Sequence, residues 1–139
     1  MKVPTLMMAA TVLATATTVH AANVRVAHLS PDAPAVDVLV NGGAAFTELP
    51  FGSLTDYADL PAGKYQIQVV AAGTTGPAVI DTAVTLPANG DFTIAAIDTL
   101  SNISAAIYED DNSTMPGIAR VRFVHASPGT PAVDIAVTD

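Results

Sequence analysis

Three side chains near the start of this 139-residue chain are of the kinds that hold metals or move protons: His28, Asp32 and Asp37. An imidazole and two carboxylates make a metal or acid–base site only if they converge, because a bound metal needs three or more ligands. The competing expectation is a histidine at the core end of a strand, bonding the adjoining turn in one fixed tautomer. A second histidine, His125, has Gly129 where Asp32 would correspond, which weakens a shared role for that carboxylate. Ser30 and Ser127 follow the two histidines closely, yet no Gly-x-Ser-x-Gly turn presents either as a nucleophile, so a turn role is expected. Asp56 and Asp59 fall at positions expected to be exposed. The run Glu109-Asp110-Asp111-Asn112 offers consecutive hard oxygen ligands of the kind Ca²⁺ takes. A solvated linker is the plainer expectation for it. No catalytic set and no cofactor are therefore expected, with Ca²⁺ at the acidic run as the alternative.

The histidines belong to a stretch that occurs twice. Residues 24–40 return as residues 121–137, with Val24, Arg25, His28, Ser30, Pro31, Pro34, Ala35, Val36, Asp37 and Val40 matched by Val121, Arg122, His125, Ser127, Pro128, Pro131, Ala132, Val133, Asp134 and Val137. So long a period is that of a whole small domain, which predicts one complete unit and the opening of a second. Within the stretch, Val24, Val26 and His28 share one strand face, and Val36, Val38 and Val40 share another. The charged Arg25 and Asp37 mark the solvent sides. Ser30-Pro31-Asp32-Ala33-Pro34 is a turn by its chemistry. The expectation is an antiparallel hairpin with Val26 opposite Val38, and with Arg25 and Asp37 as diagonal neighbours on the wet face. His28, Ser30, Pro31, Asp37 and their counterparts His125, Ser127, Pro128 and Asp134 then read as structural residues of a repeated motif.

The pattern V-R-[VF]-x-H-x-S-P-x-x-P-x-V-D-[VI]-x-V resembles the opening of an exported bacterial family known as domain of unknown function 4397. The resemblance covers residues 24 to about 112 as one unit and 119–139 as a fragment of another. It implies a secreted, often tandem, immunoglobulin-like β-sandwich, and it implies no activity and no functional residues.

Composition agrees with export. Lys2 followed by an apolar, small-residue run from Leu6 to Val19, ending in Val19-His20-Ala21, has the form of a signal peptide over residues 1–21. The run is short and Ala/Thr-rich, so no membrane span is expected after cleavage. Removal of Lys2 leaves Arg25, Lys64, Arg120 and Arg122 against thirteen acidic side chains. That balance argues against nucleic acid and anionic lipid as partners. The chain has no cysteine, so the fold must be held by its core alone.

Short alternating segments separated by Gly/Pro turns run from residue 24 to 108, with no sustained helical period. They predict an all-β, antiparallel immunoglobulin-like sandwich of seven to eight strands over residues 22–109. Residues 110–117 are expected as an acidic linker and 118–139 as the first hairpin of a truncated second repeat. Val26, Val38, Ile67, Val84, Ile94 and Ile107 are expected in the core, with Arg25, Lys64 and Gln66 in solvent. Leu60-Pro61-Ala62-Gly63-Lys64-Tyr65 is similar to the tyrosine corner of immunoglobulin-like sandwiches. The functional expectation is an exported, non-enzymatic module with a structural or binding role in the periplasm, at the cell surface or outside the cell. Its partner would be a protein or surface polymer, and the tail offers a means of self-association. The alternative is a Ca²⁺-dependent adhesion or matrix module.

Overall fold

A computed structural model describes residues 20–139; the expected signal peptide lies almost wholly outside these residues. The alternating segments form eight strands: β1 (Ala22–His28), β2 (Val36–Val40), β3 (Gly43–Leu49), β4 (Ala58–Leu60), β5 (Gly63–Ala71), β6 (Ile80–Leu86), β7 (Asp91–Ile97) and β8 (Ser104–Asp110). Two four-stranded sheets result, ordered β4-β1-β7-β8 and β3-β2-β5-β6. Their inner faces bury Val24, Val26, Val36, Val38, Ile67, Val69, Val84, Leu86, Phe92 and Ile94 against one another. The architecture is the expected β-sandwich. Every ladder is antiparallel except β1 on β7, which is parallel.

The opening stretch departs from expectation in one respect. β1 and β2 are not a hairpin: β1 lies between β4 and β7, whereas β2 lies between β3 and β5 in the other sheet. Val26 and Val38 therefore belong to opposite layers of the core, and Arg25 and Asp37 lie on opposite outer surfaces. The physical reason is the connection. Pro31 and Pro34 fix two φ angles and remove two N–H donors in residues 29–35, and His28 Nε2 holds the Pro34 carbonyl within that segment. Residues 29–35 cross from one sheet to the other as an arch. The tight turn that does make a hairpin is Asn41-Gly42, with φ of 51° and 83°, between β2 and β3. Those left-handed angles are the ones Asn-Gly tolerates best.

Two edge features complete the frame. The Tyr65 hydroxyl donates to the Pro61 carbonyl at 2.6 Å, so the corner expected before β5 is present. Ile107, expected in the core, is 46% exposed. It stands opposite Ile94 on the inner face, but β8 is the sheet edge and nothing covers its outer half. The strand β8 also continues through Glu109 and Asp110, so the acidic run begins inside a sheet.

Residues 119–139 hold no strand, so the expected second hairpin is not formed. Only the local turn of the motif is reproduced. His125 Nε2 lies 3.1 Å from the Pro131 carbonyl, as His28 Nε2 lies 2.9 Å from that of Pro34.

Placing a charge between the sheets tests the assigned faces. Val38→Asp is expected to cost about 4 kcal/mol or more, because it buries an unpaired carboxylate. Ile107→Asp, at the open edge, is expected to cost under about 1 kcal/mol. Urea melts of the two variants should separate clearly, and equal losses would contradict this core.

Candidate functional site

His28, Asp32 and Asp37 do not converge. His28 is fully buried at the end of β1. Its Nδ1 accepts from the Ser30 N–H at 3.3 Å, so the ring proton sits on Nε2 and is donated to the Pro34 carbonyl. The imidazole thus ties the strand to the far side of the arch. Asp32 points the other way, accepting from the Leu100 N–H at 2.7 Å. Asp37 lies on the outer face of the second sheet, where one oxygen accepts from the Glu48 N–H at 2.8 Å and the other from the Gly73 N–H at 2.9 Å. Those two donations hold its carboxyl below the ordinary value of 3.8. Ser30 is buried, and its hydroxyl has no partner among the described residues. Asp56 and Asp59 are exposed, as expected.

The acidic run is likewise divided by the pleat of β8. Glu109 lies opposite Phe92 on the inner face and Asp110 turns to the outer face. Asp111 accepts from the Ser113 N–H and pairs with Arg120. Asn112 donates through Nδ2 to the Tyr57 hydroxyl at 3.1 Å and to Asp91 at 2.8 Å. No group of three or more metal-ligating side chains is poised to share an ion among the described residues.

What the structure does assemble is a polar network on the outer face of the β4-β1-β7-β8 sheet. Asp110, its side chain only 8% exposed, is the hub. Its Oδ2 accepts from Tyr57 Oη at 2.7 Å and from Thr93 Oγ1 at 2.5 Å. Thr93 in turn accepts from Arg25 Nε at 2.8 Å, which brings that guanidinium to 3.7 Å from the same carboxylate oxygen. The Arg25 guanidinium stacks over the Tyr57 ring at 4.7 Å. The other oxygen, Oδ1, accepts from Arg122 Nη1 at 2.7 Å. Through Asn112 the network reaches Asp91, which also accepts from Asn23 Nδ2 at 2.7 Å. The Asn23 and Asn112 amides hold the Asp91 carboxyl below its ordinary 3.8. Burial pushes the Tyr57 phenol above its ordinary 10.0, and the Asp110 carboxylate adds to this against the Asn112 amide.

Beside this network lies a cleft of about 570 Å³ between the sheet and the tail. Ala27 and Ala95 form part of its floor, Leu29 and Leu54 an apolar side, and Thr93, Tyr108, Asp110 and the guanidiniums of Arg25, Arg120 and Arg122 its polar side. Its size and mixed lining are those of a small-molecule or side-chain binding site. A family model described as "Domain of unknown function (DUF4397)" matches residues 22–136, which spans every element just described. The chain belongs to this family. No curated protein matches the chain. In this DUF4397 member the repeated Arg25 and Arg122 meet at one carboxylate, a use of the motif that hairpin reasoning missed. Tyr57, Asp91, Thr93 and Tyr108 were also missed. Alternation put Arg25 on a polar face, but the strand order decides that Asn23, Asp91 and Thr93 share that face.

Three outcomes follow. Asp37→Ala removes the acceptor for two backbone amides and is expected to lower Tm, whereas Asp134→Ala, its unanchored counterpart, should leave Tm unchanged. Because the folded Asp37 and Asp91 carboxyls titrate below 3.8, their contribution is complete above that pH and lost as pH falls through the folded values. Asp37→Asn/Asp91→Asn should therefore flatten the acid limb of a Tm-versus-pH profile. Asp110 already has four side-chain partners, so millimolar Ca²⁺ is expected to leave Tm unchanged; a rise abolished by Asp110→Asn/Asp111→Asn would restore the Ca²⁺ reading.

Proposed function

We propose that this DUF4397 protein is an exported, non-enzymatic binding module of the cell surface or periplasm whose ligand seats in the outer-face cleft. The observation that carries the proposal is the gathering of three of the chain's five basic side chains at that cleft, in a protein of formal charge −8. Three guanidiniums face two carboxylates there, Asp110 and Asp111, leaving one positive charge in excess. Arg25 spends its Nε on Thr93, and its side chain remains 29% exposed. An arginine fork held in this way suits a planar carboxylate.

The rest of the cleft suits a hydroxylated ring. Ala27 and Ala95 line it with small apolar surface, and Tyr108 lines it with a phenol ring. The acidic surface beyond the cleft opposes long polyanions, which favours an isolated acidic residue of a surface polymer. The non-enzymatic part of the proposal is supported by the burial of His28 and Ser30 and by the separation of Asp32 and Asp37. Export is supported by the character of residues 1–21. No helix among the described residues is long and apolar enough to cross a membrane.

Titration with a uronic acid oligosaccharide, read by calorimetry, tests the site. Binding should be weakened at least tenfold by Arg25→Ala, and the methyl-esterified oligosaccharide should bind at least tenfold less tightly than the acid. Arg25→Ala is itself expected to cost about 1–2 kcal/mol of stability, from its hydrogen bond and stacking, so folding of the variant is checked by its melt. Equal affinity for acid and ester would overturn the assignment.

A further inference from the structure

The second copy of the motif lies outside the sandwich, and the first copy shows what such a segment packs against. Val121, Phe123, Val133 and Ile135 are 70, 58, 50 and 52% exposed, whereas their counterparts Val24, Val26, Val36 and Val38 are 1, 4, 2 and 2% exposed. Two observations relate the tail to the first copy. Its His125–Pro131 contact reproduces the His28–Pro34 contact to within a few tenths of an ångström. Its Arg122 also grips Asp110, the carboxylate with which Arg25 pairs.

We infer that the tail arch of one copy takes the place of the β1–β2 arch in a second copy of the chain. The chain itself defines the receiving slot: β4 and β7 flank the first strand of an arch with this sequence, and β3 and β5 flank the second. In that slot Phe123 replaces Val26 beside Ile94, and Ile135 replaces Val38 beside Val69. Arg122 replaces Arg25 at the recipient's Asp110, and Asp134 replaces Asp37 at the amides of Glu48 and Gly73. The displaced arch swings about the Asn41-Gly42 turn that joins it to β3.

Exchange of this kind uses contacts that a fold already possesses. Here the donor arch and the displaced arch come from different ends of the chain, so the contact is head-to-tail and successive exchanges build open chains. The recipient's own arch competes from within the same molecule, which makes exchange dependent on concentration. The sandwich must also open to admit the tail, which makes exchange slow at low temperature and faster near the melting transition.

The chain contains no cysteine, so an introduced pair reports where the tail docks. Leu39 stands opposite Gln68 in the β2–β5 ladder, and Ala136 is the counterpart of Leu39. The full chain carrying Gln68→Cys/Ala136→Cys is concentrated, held just below its Tm, cooled and oxidised. Non-reducing gels and light scattering should then show a ladder of disulfide-linked oligomers. Adding Ile135→Asp should abolish the ladder without lowering Tm, since Ile135 contributes nothing to the closed sandwich. A control pair, Lys64→Cys/Ala136→Cys, lies out of register and should cross-link at least tenfold less. Monomers alone, or equal cross-linking by the control pair, would overturn the inference.

Discussion

The crossing from β1 to β2 is the constraint on which the rest of the molecule depends. The proline-containing segment between them crosses from one sheet to the other, so the chain commits one strand to each layer within its first described elements. Everything inward-facing on those two strands must then meet across the gap. The buried His28 ring fixes the crossing by joining the last residue of β1 to the Pro34 carbonyl, with the Ser30 amide satisfying its second nitrogen. Buried polar groups are tolerated when they are paired, and here the pairing determines the geometry of the arch. Asp37 performs a similar service outside β2, where it satisfies two backbone amides, one in β3 and one in the turn after β5.

With one strand committed to each sheet, β1 and β2 become interior strands, bordered on both sides. This placement gives a chain without disulfides a continuous core of Val, Ile, Leu and Ala, finished by Phe92 and the half-buried Tyr65 and Phe46. Small β-branched side chains lie close together on a pleated surface, which favours two sheets at short separation. The weak point is β8, whose inner face loses cover toward Ile107. The same edge carries Glu109 and Asp110, charges that discourage further strand addition there.

The outer-face network follows from the parallel neighbour relation of β1 and β7. That pairing places Arg25 beside Thr93, and the antiparallel partner β8 sets Tyr108 opposite Thr93 and Asp110 opposite Asp91, the next outward pair along. Tyr57 then donates to the Asp110 carboxylate, and Asn112 donates to Tyr57 and to Asp91. A charge this covered needs several donors, and Asp110 receives them from the loop before β4, from β7 and from the tail. The network thereby links stretches remote in sequence and gives the cleft beside it a rigid polar wall. Both copies of the repeated arginine contribute, so the same motif residue serves the sandwich from inside and from the tail.

Strand faces were legible in the residues themselves. Alternation placed Val26, Val38, Ile67, Val84 and Ile94 inward, the Gly/Pro punctuation marked the turns, and the Leu60–Tyr65 segment foretold its corner bond. Such features depend on neighbours within a few residues, where period two and proline stereochemistry leave little choice. The family, too, was readable from one stretch, because His-x-Ser-Pro and Val-Asp are fixed by the arch they build. Strand partners were not legible. An inward valine is equally content beside another valine or across from it, so period two cannot distinguish a hairpin from an arch. The burial of Ile107 depended on whether β8 had an outer neighbour, and the cleft depended on which polar faces shared a sheet. Tertiary structure decided these because they turn on strand order, a relation between residues far apart that local alternation does not encode.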